Sequence, residues 1–292
     1  MSFFSDSTGL YTDFYELTMA YGYFRKGRAG ETAVFDYFFR TNPFQNGFTV
    51  YAGLRDLLDM LDQFTYRAAD LEYLRGLGFA DDFLDYLRDF RFRGTLYSME
   101  EGEVVFPGEP LVRVEGSLIE TQLVESVLLN VLNFESLVAT KAFRVRQAAG
   151  ARLVSEFGLR RAQGLGAMMA SRASVIGGAD STSNTMAAKL YGIRAAGTQA
   201  HSWIQSFSSE LEAFMAYADV HGSKTILLVD TYDTLRSGIP NAILTAKAME
   251  ERGEQLLGVR LDSGDLAFLS KKARKMLDEA GLSYVKIVAS NQ

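Results

Sequence analysis

Polar residues gather at the ends of five short apolar runs in the second half of the chain. The runs are predicted strands at residues 152–157, 193–197, 225–229, 256–261 and 284–289. The segments that close or follow them are residues 156–161, 197–202, 230–233, 260–265 and 289–291. In proteins built from parallel strands, the loops at the carboxyl ends of the strands form the active site. We therefore expect the side chains of these five segments to act together.

Charged side chains of both signs occupy these strand ends. Arginines at Arg160, Arg161 and Arg260 suit an anionic ligand, because a guanidinium group presents a rigid fork of donors to a carboxylate or phosphate. The carboxylates suit a hydrated Mg²⁺ or the hydroxyl groups of a ribose. They are Asp230, Asp233, Asp262 and Asp265. Interleaved cations and carboxylates indicate a phosphorylated sugar as substrate, while the metal ligands stay open.

His201 is one of only two histidines and lies on a Gly-Thr-x-x-His loop after a predicted strand. An imidazole in such a loop can serve as an acid, a base or a phosphoryl acceptor. The second histidine, His221, stands beside Gly222, and we interpret it as a surface residue.

Structural roles are the alternative for several of these polar residues. Asp262 or Ser263 could cap a helix that begins near Leu266, and residues 181–183 could cap a helix after Asp180. The pair at residues 160–161 could be one salt bridge and one solvated side chain. The functional interpretation is favoured because the polar clusters fall at successive strand ends.

Other prominent side chains are interpreted as structural. The tryptophan and a methionine pair are expected in the core, at Trp203, Met168 and Met169. Acidic helices are expected to present solvated faces, around Asp56, Asp81 and Glu250.

The first third of the chain has a different pattern. Asp13 and Glu16 resemble a capping box at the start of a helix that runs to Gly27. Strand-like runs at residues 31–40 and 48–51, separated by turn signals, predict a β-hairpin. Three short helices between residues 54 and 90, followed by brief strands up to residue 114, complete a small α+β domain.

A long helical pattern from about Ile119 to Ala149, with Gly150 at its end, leads out of this domain. The predicted domains are an N-terminal α+β domain, residues 1–116, and a second domain, residues 117–292. The repeated strand, loop and helix of the second domain predict parallel strands and an α/β fold class. Five strands fall short of the eight that close a barrel, so we expect the chain to be truncated.

Composition restricts the class of protein further. The chain has 292 residues and a net charge of −6, without the basic character of a nucleic-acid binder. The absence of cysteine excludes disulfide scaffolds and thiolate chemistry, and it fits a cytoplasmic protein. Residues 1–6 lack a signal-peptide pattern, and no run of about 18 uncharged apolar residues occurs. Neither secretion nor a membrane partner is expected.

Five motifs occur in order along the chain. They are Thr12-Asp13-Phe14-Tyr15-Glu16-Leu17-Thr18-Met19, Phe157-Gly158-Leu159-Arg160-Arg161-Ala162, Gly178-Ala179-Asp180-Ser181-Thr182-Ser183-Asn184, Gly197-Thr198-Gln199-Ala200-His201-Ser202 and Val259-Arg260-Leu261-Asp262-Ser263-Gly264-Asp265. In this order and spacing they resemble the successive signatures of the nicotinate phosphoribosyltransferase family. Five ordered motifs are far more specific than any one of them.

The resemblance implies a fold and a reaction. The fold is an N-terminal α/β domain, partly a β-sandwich, joined to an irregular α/β barrel of the type II phosphoribosyltransferase kind, here incomplete. The resemblance further implies a homodimer in which two subunits would complete each other's active sites. The implied enzyme, a ligase and glycosyltransferase of NAD salvage, joins nicotinate to phosphoribosyl pyrophosphate, forming nicotinate mononucleotide and pyrophosphate. The resemblance also implies that Mg²⁺ would be required and that ATP hydrolysis would be coupled to the transfer.

The resemblance also implies roles for individual residues. Tyr15 and Phe157 would sandwich the pyridine ring, Thr198 and Arg260 would bind nicotinate, and His201 would be phosphorylated from ATP. The further substrate-binding positions are Arg160 or Arg161 for phosphate, Asp262 with Asp265 for ribose or metal, and Ser263 and Asn291. His201, Arg260 and Asp262 are the expected catalytic residues.

Two alternative functions stay open. A relative that prefers nicotinamide would share the fold and most motifs, and an acidic group such as Asp180 facing the ring substituent would favour it. A non-catalytic ligand-binding relative would result from loss of the phosphate loops. Family members carry those loops beyond the Ala-Ser-Asn motif, and a truncated chain would lack them.

Overall fold

The structure is a computed structural model that describes residues 7–291. The expectation that no signal peptide is present rests on residues 1–6, which lie outside the described part. The chain forms two compact units, Met1–Ala196 (unit 1) and Gly197–Gln292 (unit 2). The domain boundary predicted near residue 116 falls within unit 1, where Ser117 ends a strand and precedes a helix, and it stays a prediction.

Unit 1 begins with a helical part rich in aromatic residues. Its helices are α1 (Phe14–Arg25), α2 (Leu54–Asp62), α3 (Ala68–Gly76) and α4 (Asp81–Arg88), which confirms the four helices predicted there. The capping box predicted for α1 is wrong. Asp13 makes no side-chain cap, and the Glu16 carboxylate instead accepts a hydrogen bond from Ser126 Oγ at 2.6 Å. Tyr51, Phe64 and Phe83 fill the core.

The strands of this part pair antiparallel. They are β1 (Thr32–Tyr37), β2 (Thr49–Val50), β3 (Thr95–Ser98), β4 (Val104–Val105) and β5 (Val112–Ser117). One sheet has the order β1-β5-β3, and β2 pairs with β4. The predicted hairpin is therefore wrong. The turn signals form a 3₁₀ helix, Pro43–Gln45, and left-handed φ angles at Phe44 and Gln45 direct the chain away from β1.

The predicted long helix consists of α5 (Leu118–Leu123) and α6 (Glu125–Ala149), interrupted only at Val124. Ser117 and Glu120 form a capping box at its start, in which Ser117 N donates to Glu120 Oε2 at 3.0 Å. Gly150, with φ of 59°, ends α6 as predicted.

The segment Leu118–Ala149 is long and apolar enough to cross a membrane by length and composition alone. In the most apolar 18-residue stretch of this segment, however, 56% of the residues are buried inside the protein. Val127, Val131 and Leu132 belong to the core of unit 1. These properties are those of a core helix.

The second half of unit 1 contains a short parallel pair. β6 (Ser155–Glu156) pairs with β7 (Ser181–Thr182), with α7 (Gly166–Ile176) between them and α8 (Thr185–Tyr191) after them. The strand predicted at residues 193–197 is only a single bridge between Thr182 and Ala195. Residues 181–183 do not cap α8, because Asn184 accepts from Ala187 N at 3.2 Å.

Unit 2 alternates strands and helices as predicted. Its elements are α9 (His201–Gln205), α10 (Glu210–His221), β8 (Ile226–Leu228), α11 (Ile239–Glu251), β9 (Gly258–Leu261), α12 (Leu266–Glu279) and β10 (Lys286–Ala289). The strands are parallel in the order β8-β9-β10. Leu227, Val259 and Leu261 are fully buried, as expected for a parallel sheet covered by helices.

Two caps in unit 2 differ from expectation and bear on the site. Asp265, and neither Asp262 nor Ser263, caps α12 by accepting from Phe268 N at 2.9 Å. Asp233 accepts from Leu235 N and caps a π-helical turn, Thr234–Gly238. A Cβ at residue 238 would overlap the carbonyl oxygen of Val229, so the turn can approach the end of β8 only with glycine there. Asp262 and Ser263 are thereby free for other contacts.

One charged residue expected at the surface is buried. Asp56 on α2 is 8% exposed and lies 3.8 Å from the guanidinium of Arg172 on α7, so its interpretation as part of a solvated face is wrong. Asp81 is exposed and Glu250 is half-buried. Met168 is buried, while Met169 and Trp203 are partly buried and pack against the cores of their units.

Candidate active site

The carboxyl ends of β8, β9 and β10 bring polar side chains of unit 2 together. We call this group the strand-end cluster; it consists of Thr198, His201, Asp230, Arg260, Asp262, Ser263 and Ser290. Four of its members lie just after a strand. Parallel strands in register end at the same edge of the sheet, so these side chains lie close together. The sequence analysis expected site residues at the carboxyl ends of parallel strands, and we call this expectation the strand-end rule. It located the cluster within unit 2.

Arg260 is the centre of the cluster. Its side chain is only 14% exposed, and it donates from Nε to Ser290 Oγ at 2.8 Å and from Nη1 to Thr198 Oγ1 at 2.9 Å. Nη2 donates to Asp262 Oδ1 at 2.7 Å. One guanidinium thus connects the loop after Gly197 with the ends of two strands, and its charge is partly balanced before any substrate binds.

Asp262 is held as a carboxylate. Burial alone would raise the pKa of Asp262, but hydrogen bonds from Ser290 and Arg260, together with the charge of Arg260, lower it below its usual value. Oδ1 receives both of these hydrogen bonds. Oδ2 faces His201 at 3.9 Å from Nε2, so one oxygen of an ionised carboxylate is directed toward the histidine.

Asp230 fixes the loop that carries Asp262. Its Oδ2 accepts from Asp262 N at 2.8 Å and from Ser263 Oγ at 2.6 Å. Its other oxygen, Oδ1, is buried and has no hydrogen-bond partner among the described residues. An unpaired buried carboxylate oxygen is costly unless a ligand satisfies it.

His201 is the first residue of α9 and is half-exposed. Its Nδ1 lies 3.1 Å from Thr231 Oγ1, which is within hydrogen-bonding distance.

The remaining predicted positions of unit 2 are less central, since Asp265 caps α12 and Asn291 is exposed after β10. Thr231 and Ser290 lie in the strand-end segments that we expect to act together, but the sequence analysis assigned neither residue a role of its own.

Four predicted site residues lie in unit 1. Tyr15 is 46% exposed and donates to Glu125 Oε1 at 3.0 Å, and burial together with this carboxylate raises the pKa of the Tyr15 hydroxyl. Phe157 is half-buried just after β6. Arg160 and Arg161 are both exposed, and neither forms a salt bridge with any carboxylate in residues 7–291. The alternative of one salt bridge and one solvated arginine is therefore not what the structure contains.

Asp180, the acidic group that could favour nicotinamide, is already engaged. Val154 N donates to Asp180 Oδ2 at 2.7 Å, and Arg146 forms a salt bridge with the same oxygen. The backbone hydrogen bond and Arg146 together lower the pKa of Asp180. Its charge therefore stabilises the loop between α7 and β7 and is balanced there.

In the described part of the chain, no group of three or more histidine and acidic side chains is arranged to hold a metal ion. Magnesium in phosphate-processing sites commonly uses only one or two protein carboxylates together with substrate phosphates. Asp262 Oδ2 and the unpartnered Asp230 Oδ1 fit that more limited role.

Comparison with known proteins identifies the family. A model of the nicotinate phosphoribosyltransferase N-terminal domain matches residues 10–133, and a model of the nicotinate phosphoribosyltransferase family matches residues 152–290. The chain is 49% identical to nicotinate phosphoribosyltransferase of Bacillus subtilis (strain 168), over 99% of this chain and 59% of that protein. It is 42% identical to the Dictyostelium discoideum enzyme, over 97% of this chain and 57% of that protein. The chain thus spans about three fifths of the length of these relatives.

Solved structures agree with the sequence comparison. The crystal structure of human nicotinic acid phosphoribosyltransferase aligns with a TM-score of 0.90 and 38% identity, covering 96% of this chain and 68% of that chain. Nicotinate-nucleotide pyrophosphorylase from Pyrococcus furiosus aligns with a TM-score of 0.79 and 25% identity, covering 97% and 66%. The architecture is that of these enzymes, with an N-terminal domain and a catalytic domain. The chain belongs to the nicotinate phosphoribosyltransferase family.

Proposed function

We propose that this chain carries the site of nicotinate phosphoribosyltransferase, which joins nicotinate to phosphoribosyl pyrophosphate and releases nicotinate mononucleotide and pyrophosphate. The observation that carries the proposal is the strand-end cluster, in which Arg260 connects Thr198, Asp262 and Ser290. This arrangement places a largely buried cation and an ionised carboxylate beside a histidine. A substrate that combines anionic groups with a ribose suits it.

The chemistry of the reaction explains why both charges are needed. As the bond to pyrophosphate breaks, the ribose becomes cationic and the leaving group becomes more anionic. Preorganised groups of opposite sign stabilise the two partners of such a transition state. Asp262, kept ionised by Arg260 and Ser290, suits the cationic ribose. Arg160 or Arg161, exposed and without salt bridges in the described chain, suits phosphate oxygens.

We propose separate roles for the pyridine ring and its carboxylate. Tyr15 and Phe157 are partly exposed aromatic residues and are proposed to stack on the ring. Thr198 and Arg260 are proposed to bind the carboxylate. Since most of the donors on Arg260 already have partners, its share is electrostatic and includes holding the Thr198 hydroxyl in place. Engagement of Asp180 by Arg146 supports nicotinate over nicotinamide as the substrate.

ATP hydrolysis is proposed to be coupled through phosphorylation of His201. The half-exposed imidazole at the start of α9 is accessible to a phosphoryl donor, and a phosphohistidine there would make new contacts that favour phosphoribosyl pyrophosphate binding. Mg²⁺ would be held by substrate phosphates with Asp262 and Asp230, and it would supply charge neutralisation. Ser263, Asp265 and Asn291 remain proposed contacts of the ribose or phosphate.

The larger assembly belongs to the same proposal. It includes the β-sandwich-like N-terminal domain, the irregular α/β barrel, a homodimer with shared active sites and a cytoplasmic location. The antiparallel sheets of unit 1 and the parallel strands of unit 2 support the domain types.

The test is to incubate the purified chain with nicotinate, phosphoribosyl pyrophosphate, Mg²⁺ and ATP, and to detect nicotinate mononucleotide by mass. We expect product with nicotinate, much less with nicotinamide, and at least a hundredfold less ATP-dependent product in His201→Ala, as for loss of a key catalytic group. His221→Ala is the matched control and should retain activity, because His221 is exposed and lies outside the cluster. A folded chain that binds nicotinate without forming product would contradict the proposal and indicate a ligand-binding relative.

A further inference from the structure

The end of β8 contributes a contact to His201 that the family motifs do not include. Thr231 Oγ1 lies 3.1 Å from His201 Nδ1. Thr231 directly follows Asp230, whose carboxylate holds the Asp262 loop, and precedes the π-helical turn that Gly238 allows to pack against β8. The position of this threonine is therefore set by the same backbone that arranges the cluster.

The second ring nitrogen of His201 has different surroundings. Nε2 lies 3.9 Å from Asp262 Oδ2, which is too far for a hydrogen bond. Within residues 7–291, Nδ1 makes a side-chain hydrogen bond and Nε2 makes none. The His201 side chain is 41% exposed, so the unoccupied nitrogen belongs to a ring that solvent can reach.

We propose that Thr231 is a positioning residue that holds the His201 ring by Nδ1 and thereby makes Nε2 the nitrogen that accepts the phosphoryl group. The inference rests on the proposed function, in which ATP phosphorylates His201. A hydroxyl group suits this task because it can accept from a protonated Nδ1 and donate to an unprotonated one. It can hold one ring orientation through the whole cycle, whereas a carbonyl or carboxylate can only accept.

In the transfer, the lone pair of His201 Nε2 attacks the γ-phosphorus of ATP. The P–N bond forms as the bond between this phosphorus and the β,γ-bridging oxygen breaks, and ADP leaves with that electron pair. The ring proton stays on Nδ1, where Thr231 Oγ1 accepts its hydrogen bond. Without the hydroxyl, a half-turn of the ring would present Nδ1 instead, because the outer torsion of a histidine has two broad and similar minima.

The experiment identifies the phosphorylated nitrogen in the chain labelled with ¹⁵N-histidine. Only two histidines are present, so ¹H–¹⁵N and ³¹P spectra resolve each ring. Phosphoryl donors are ATP with Mg²⁺ and, separately, phosphoramidate, a small reagent that modifies exposed imidazoles without the ATP chemistry. We expect only the Nε2 isomer at His201 in the wild type and in Thr231→Ser. Thr231→Val should give both isomers, and its phosphorylation by ATP should be roughly tenfold slower, as for loss of one hydrogen bond.

His221 is the internal reference. Its ring packs against that of Tyr217 in a tilted arrangement, with centroids 4.2 Å apart, and its isomer ratio should be the same in every variant. Thr231→Ala replaces the valine variant if that protein does not fold. Nδ1 phosphorylation in the wild type, or an unchanged Nε2 product in both hydroxyl-free variants, would overturn the inference. If phosphoramidate labels only Nε2 in the wild type and both nitrogens in Thr231→Val, while ATP labels neither protein, that result would support the role of Thr231 and contradict the proposed function.

Discussion

Each unit of the protein contains a cluster built around an arginine, but the two clusters differ in burial and in the number of acidic side chains near the arginine. The group in unit 1, which we call the buried cluster, consists of Asp56, Glu101, Glu135 and Arg172. Arg172 forms two hydrogen bonds with Glu101 and lies 3.5 Å from Glu135. Glu135 is completely buried, whereas Asp262 in the strand-end cluster has a side chain that is 31% exposed.

The carboxylates respond differently to these surroundings. Burial, followed by the charge of Asp56, raises the pKa of Glu135 to about 10, because one arginine cannot balance three neighbouring acidic side chains, of which Asp56 and Glu135 are buried. In the same cluster burial opposes ionisation of Glu101, but the hydrogen bonds and charge of Arg172 lower its pKa. The strand-end cluster has one arginine for Asp262 and shifts that pKa downward. In this protein a large pKa shift therefore reflects burial. The candidate site differs from the buried cluster by its exposure to solvent and by its histidine.

The comparison is tested most strongly by removing the arginine of the buried cluster. In Arg172→Met, Asp56 and Glu101 lose the guanidinium that lies beside them in a largely buried site, so we expect the free energy of unfolding to fall by about 3–5 kcal/mol. Urea denaturation followed by far-ultraviolet circular dichroism measures the change. Arg28→Met is the matched control, because Arg28 and Glu31 form an exposed pair, 52% and 51% exposed, that should contribute less than about 1 kcal/mol. Equal stabilities of the two variants would show that the buried cluster contributes nothing to folding.

The second test concerns the proton on Glu135. Its pKa in the folded chain is raised above the value of about 4.3 expected in the unfolded chain, so the folded state binds more protons between these values. Stability is then largest below the unfolded pKa and falls as the pH rises toward 10. Glu135→Gln cannot ionise, so it should remove this loss and be more stable than the wild type at pH 8 by about 1–3 kcal/mol.

Urea midpoints between pH 5 and pH 9 measure the effect. Glu103→Gln, at an exposed position of unit 1, should leave the pH dependence unchanged. If Glu135→Gln and the wild type lose stability with the same slope, Glu135 is ionised in the folded protein and the two clusters are alike.

Local elements of the fold were predictable from sequence, while strand partners were not. Helix signals such as Gly150 at the end of α6 act within a few residues, and they were read correctly. The pairing of β1 with β5 joins residues about 80 positions apart, so no local pattern encodes it. The strand-end rule succeeded within unit 2 because three parallel strands share one register there.

The buried cluster shows why some charges were misjudged. Asp56 occupies a helix with Asp59 and Asp62 nearby, and composition alone favours a solvated face. Its burial depends on Arg172 and Glu135, which come from helices far along the chain. The contact of Thr231 with His201 was not predicted for a related reason. Residues 230–233 were recognised as a strand end, but the hydrogen bond joins side chains 30 positions apart, and no local pattern encodes it.

The prediction with the smallest expected effect removes one hydroxyl group, that of Ser290, from the strand-end cluster. Ser290 Oγ accepts from Arg260 Nε and donates to Asp262 Oδ1, but Arg260 and Asp262 also contact each other directly at 2.7 Å. Ser290→Ala should therefore leave the charge pair intact and lower kcat/KM for nicotinate mononucleotide formation roughly threefold to tenfold, the range expected for one hydrogen bond of about 0.5–1.5 kcal/mol. Steady-state kinetics of the chain measure it.

Ser270→Ala is the control, because Ser270 is half-exposed on α12 and its hydroxyl contacts only the carbonyl of Ala267 among the described residues. Its kcat/KM should match the wild type.

The result for Ser290→Ala also decides whether the two arginine clusters differ in kind. A loss of activity with unchanged urea midpoint would assign the strand-end hydrogen bonds to the reaction. Unchanged kcat/KM with a stability loss close to that of Arg172→Met would make the cluster around Arg260 a structural one, since its hydrogen bonds would then support folding alone.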